Sequence, residues 1–119
     1  MTIQECYKAI GGNYEEVLGR LNSEALIRKF TFMFLEDPSY MQLKQALADK
    51  NYEEAFRNAH TLKGVCQNLS FDRLYEVSYE LAELLRDGTG EQPGIPETME
   101  KVTEIYEITI DEIKKVLSH

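Results

Sequence analysis

The chain has 119 residues, 43% hydrophobic and 29% charged, with a formal net charge of −8 and a pI near 4.8. That length holds one domain with a modest core. The acidic balance argues against nucleic acid or an anionic membrane surface as partner, because no basic patch exists to release counterions.

No uncharged apolar run approaches the roughly 20 residues that span a bilayer. The first residues, Met1 to Glu5, have neither a basic start nor an apolar stretch. Cys6 and Cys66 are far apart in sequence, and free thiols in a cytoplasmic protein are expected.

Hydrophobic spacing in chain order predicts helices and no strands. Ile3, Cys6, Tyr7 and Ile10 mark a short amphipathic helix stopped by Gly11-Gly12. Asn13 can cap a second, in which Tyr14, Val17, Leu18 and Leu21 share a face. Ser23 opens a third, without a capping box because position N3 is Leu26. This helix is apolar almost all round from Leu26 to Leu35, the mark of a helix buried between neighbours. Pro38 ends it, and Asp37 can cap the next helix with Pro38 in its first turn.

The fourth helix carries Tyr40 or Met41, Leu43 or Lys44, Leu47 and Ala48 at helical spacing, and Asp49-Lys50-Asn51 breaks it. A fifth spans about residues 52–68. A sixth, from Ser70 to about Asp87, repeats Leu74, Val77, Leu81, Leu84 and Leu85. Residues 88–96, rich in glycine and proline, form the one linker. The last helix, about Glu97 to Leu117, has Met99, Val102, Tyr106, Ile110, Ile113 and Leu117 as its expected buried stripe. Seven acids and three lysines lie in residues 91–119, read as a solvated face. The expected fold is all-α: an up-and-down antiparallel four-helix bundle, its helices starting near residues 38, 52, 70 and 97, with additional N-terminal helices. It forms a single domain over 1–119, with the core bundle at about 23–118.

The fifth helix is the most informative stretch. His60 is the one internal histidine; His119 is the last residue and is expected to fray. Ala55, Ala59, Leu62, Cys66 and Leu69 share a core-facing stripe, whereas His60 falls on another with Glu53, Arg57, Gly64 and Gln67. Lys63 lies within side-chain reach of His60. Between Ala55 and Phe71 the only charges are Arg57 and Lys63, so a neutral imidazole sits between two cations.

A lone surface histidine is commonly inert, and a lone lysine or glutamine merely solvated. Glycine in mid-helix, however, costs about 1 kcal/mol against alanine, without purpose on an inert surface. At Gly64 it removes bulk one turn from the imidazole, where a reactant must approach. Lys63 supplies charge for a phosphoryl group carrying nearly two negative charges. The site suits a histidine that carries a phosphoryl group. If the fifth and sixth helices turn near Leu69-Ser70, His60 is level with Ser78, Tyr79 and Ala82. Ser78 or Tyr79 can then accept a hydrogen bond from the imidazole, or either is ordinary bundle surface.

Asn58-Ala59-His60-Thr61-Leu62-Lys63-Gly64, followed by Asn68-Leu69, resembles the signature of the histidine-containing phosphotransfer (HPt) domain, the helical phosphocarrier of multistep two-component relays. Phe34 to Asp37 and Ala46 to Ala55 are similar to that family's preceding helices, and Arg73 to Leu85 to its paired helix. The likeness covers roughly residues 23–88 well and the ends loosely. Ser70 stands where the family commonly has glycine; serine is a good N-cap and is expected to start the sixth helix equally well.

The resemblance implies that His60 takes a phosphoryl group on Nε2 from a receiver aspartate and passes it to another receiver. Lys63 would stabilise the phosphate charge and Gly64 would give steric access. Gln67, Arg57, Ser78 and Tyr79 are secondary candidates. Partners would be receiver domains of response regulators or hybrid histidine kinases. The aspartates and Mg²⁺ belong to the receiver, so the carrier, expected to be a monomer, needs no cofactor or metal. No Gly-rich phosphate loop occurs, and autokinase activity is not expected; Met1 favours a free-standing carrier.

The alternative from another class is a helical interaction module that binds a receiver or kinase without carrying phosphate. A bundle metal enzyme would need Glu-x-x-His pairs, and position 57 is Arg. The dimerisation helix of a sensor kinase usually has an acid just after the histidine, where Thr61 stands.

Overall fold

A computed structural model describes residues 1–118; His119 lies outside the described residues. The helices are α1 (Ile3–Ala9), α2 (Tyr14–Leu21), α3 (Glu24–Met33), α4 (Ser39–Ala48), α5 (Tyr52–Leu69), α6 (Asp72–Leu85) and α7 (Ile95–Leu117), with a 3-10 turn at Phe34–Glu36 after α3. Among the described residues there is no strand. The fold is all-α.

Side-chain oxygens start most of these helices where the sequence places them. Thr2 and Glu5 form a capping box on α1. Asn13, Ser23 and Asn51 each accept from the amide three residues on. Asp37 Oδ1 accepts from Ser39 N at 2.9 Å and so caps α4 across Pro38. Gly11, at φ +71°, ends α1, and the Gly12 amide closes back on Tyr7 O at 2.8 Å.

Helices α4 to α7 form the antiparallel bundle: α5 packs between α4 and α6, and α6 against α7. Tyr40 links α4 to α7, its ring stacked on Tyr106 at 3.9 Å and its hydroxyl 2.9 Å from Thr103 Oγ1. The additional helices α1 and α3 lie against α7, with α2 on α3. One core runs from Ile3 to Val116 and includes Tyr7, Phe34 and Phe71, whose rings meet edge-on or tilted at 5.2 to 5.5 Å. Both cysteines are free and buried within it; burial pushes the Cys6 thiol up to about 11 and the Cys66 thiol further.

Three expectations need correction. Helix α3 is not enclosed: Ile27 and Thr31 are buried, but Leu26, Phe30 and Met33 are exposed, Met33 by 56%. It lies on the bundle rather than in it, so only one of its two apolar sides finds a neighbour. The buried stripe of α7 is centred on Val102, Ile105, Thr109, Ile113 and Val116, with Met99, Tyr106 and Ile110 at its edge and Leu117 55% exposed. Contacts from α1 and α3 as well as α6 rotate the buried centre. Ser70 does not cap α6. It ends α5 at φ +56°, the left-handed geometry that favours glycine, and is fully buried.

Candidate functional site

Helix α5 turns Ala55, Asn58, Ala59, Leu62, Cys66 and Leu69 into the core, which leaves His60 exposed on the outer side. The imidazole stacks on Phe56, one turn back, with ring centroids 6.0 Å apart and planes at 30°. One turn forward, a Cβ at Gly64 would meet nothing within 4 Å. The space beyond the imidazole is open.

Lys63 is half-buried on the α6 side of this face, its Nζ 5.4 Å from the centre of the Tyr79 ring. Arg86, at the end of α6, lies 5.7 Å from the Phe56 ring and donates to Glu83 Oε1. The Glu83 carboxyl is held below its ordinary range, first by that hydrogen bond, with the charges of Arg86 and Lys63 adding to it. Lys63 facing Tyr79, and Phe56 facing Arg86, fix the register of the hairpin: both pairs are equidistant from its turn, with Ala82 opposite His60.

Arg57 points elsewhere. Its guanidinium bonds Glu53 Oε1 and Glu54 Oε2, each at 2.8 Å, in the first turn of α5. Ser78 is 1% exposed, its Oγ without a hydrogen-bond partner, and Tyr79 is exposed beneath Lys63. Neither bonds the imidazole. Gln67 is exposed on the same stripe as His60.

The far end of α5 is gripped by the N-terminal helices. Arg20 Nη1 donates to Gln67 O at 3.3 Å, Asn68 O at 2.7 Å and Ser70 Oγ at 3.1 Å, satisfying the Asn68 carbonyl at the helix end. Ser70 Oγ donates to Glu16 Oε1 at 2.7 Å, and the Tyr7 hydroxyl to Leu69 O at 2.7 Å. Beside this end runs a groove of about 430 Å³ lined by Arg20, Leu21, Phe30, Met33, Val65 and Asn68 among others.

Phe56, Glu83 and Arg86 escaped the sequence reading. Phe56 was legible as the residue one turn before His60. Arg86 required the hairpin register, which places it opposite Phe56. Among the described residues no group of three or more His, Cys, Asp or Glu side chains is placed to hold a metal ion, and no helix is long and apolar enough to cross a membrane.

Among known proteins, the family described as the Hpt domain matches residues 40–117, that is, α4 through α7. No curated protein and no solved structure matches the chain.

Proposed function

The chain belongs to the Hpt domain family, whose members carry phosphoryl groups on histidine in two-component signalling and interact with receiver domains; from that premise we propose that this chain is a phosphocarrier acting through His60. The observation that carries the reading is the exposed imidazole beside an unobstructed Gly64, with Lys63 on the adjoining side.

The lone pair of Nε2 attacks the phosphorus of a receiver's aspartyl phosphate. The phosphorus–oxygen bond breaks, the aspartate leaves as a carboxylate, and the positive charge formed on the ring is shared with Nδ1–H. Delivery to a second receiver reverses each change. The lysine ammonium offsets charge on the transferred group, and the open space at Gly64 lets the aspartate come almost in line. Mg²⁺ resides on the receiver in this scheme, and residues 1–119 act as one carrier without autokinase chemistry.

The α3 side of the groove gives a receiver somewhere to rest. Phe30 and Met33 are exposed there, and Arg28 and Lys29 lie over the Phe32 and Phe30 rings at 5.2 and 5.9 Å. They give this flank a mixed apolar and cationic surface beside the groove, which Arg20, paired to Glu16, and Asp37 also line, suited to a receiver surface that is itself partly apolar. Gln67, on the His60 stripe, faces the same approach. Peptide mapping at neutral to alkaline pH after phosphorylation should find the label on His60, and ³¹P NMR should identify the Nε2 isomer. A label on any other residue would remove His60 from this role.

A further inference from the structure

We infer that Glu83 and Arg86 form an exchangeable charge pair for the phosphorylated site: Arg86 rests on Glu83 while His60 is free and moves to the phosphoryl oxygens when His60 carries them. The inference rests on the phosphocarrier reading and adds two α6 residues to it.

Phe56 is the shared platform, in contact with the His60 ring at 6.0 Å and with the Arg86 guanidinium at 5.7 Å. The guanidinium therefore lies one aromatic ring away from the imidazole. Its side chain is 61% exposed and that of Glu83 41%, so the two are tied to each other rather than to the core. An exposed ion pair of this kind is weak. A phosphoryl group offers more negative charge than a carboxylate and accepts the planar guanidinium through two oxygens at once.

Glu83 opposes the phosphorylated form in two ways. Its carboxylate holds Arg86 and draws on Lys63, the other cation of this face. It also places a negative charge on the helix opposite the phosphoryl group. Removing Glu83's charge and removing Arg86's must therefore act in opposite directions, which a purely structural ion pair would not do. Substituting either partner of a structural pair would weaken the same helix end.

The test is labelling of the full chain by excess phosphoramidate, in which the phosphoryl group passes to His60 and ammonia leaves. The label's lifetime is followed after removal of the donor. Glu83→Gln should label roughly threefold faster than wild type and Arg86→Ala roughly threefold slower, with Arg86→Lys in between, in proportion to one exposed charge contact. In Arg86→Ala the effect of Glu83→Gln should shrink, because its main partner is gone. Circular dichroism confirms that each variant folds. Equal rates for folded Glu83→Gln, Arg86→Ala and wild type, all labelled on His60, overturn the exchange and leave the carrier reading standing. Absence of label on wild-type His60 overturns both.

Discussion

Gly64 follows His60 by one turn of α5, and the place its Cβ would take is empty to beyond 4 Å. A Cβ there enters open space on the side from which a reactant approaches the imidazole. Gly64→Ala should therefore stabilise the fold by about 0.5 to 1 kcal/mol, and Gly64→Gln should fold as well. Both should slow phosphorylation by a receiver, glutamine more, while a small donor is less affected. Thermal melting and transfer rates on the three proteins measure this. Wild-type transfer in folded Gly64→Gln would contradict the steric account.

Lys63 bridges toward Tyr79 on α6 without an acidic hydrogen-bond partner within its own helix. Lys63→Ala should keep the helix, since alanine is the better helix former. It should slow transfer or shorten the phosphohistidine lifetime roughly five- to tenfold, the worth of one charge-assisted contact of about 1 kcal/mol. Stopped-flow transfer and label decay check it; both unchanged would make Lys63 an ordinary solvated lysine.

Ser70 holds a left-handed geometry usually given to glycine while its buried hydroxyl joins Glu16 and Arg20. Ser70→Ala keeps the backbone strain and loses those bonds, and should destabilise the protein by about 1 kcal/mol. Ser70→Gly loses the same bonds but relieves the strain, and should be the milder change. The Glu16 carboxyl lies below its ordinary value, chiefly through the hydrogen bond from Ser70. Its contribution is therefore present above the unfolded-state value and fades as pH falls through the lower folded value. The gap between wild type and Ser70→Ala in urea unfolding should narrow over that acid range. A gap that widens on acidification, or a glycine variant weaker than the alanine one, would contradict this.

These residues also mark where the sequence was legible. The core stripe of α5 was readable because Ala55, Ala59, Leu62, Cys66 and Leu69 repeat at helical spacing, and all are buried. The caps at Asn13, Ser23 and Asp37 were readable because each acts within three residues. Spacing misled where a helix has several neighbours, as in the rotated stripe of α7, or too few, as in α3. Ser70 was misread because it closes the end of α5 in left-handed geometry, with the Phe71 amide turned back to Cys66 O, and its hydroxyl is taken by Glu16 and Arg20, both distant in sequence. The candidate site divides in the same way. His60, Lys63, Gly64 and Gln67 lie on one helix and follow from spacing. The engagement of Arg57 with Glu53 and Glu54, and the Glu83–Arg86 pair beside Phe56, depend on rotamers and on a neighbouring helix.

The central claim is that His60 carries the phosphoryl group, and transfer from a phosphorylated cognate receiver to wild type and His60→Gln tests it most directly. The wild-type chain should acquire one label, lost in acid and retained in base as a phosphoramidate is, and should pass it on to a second receiver. Folded His60→Gln should acquire none. Undiminished labelling of His60→Gln would contradict the account.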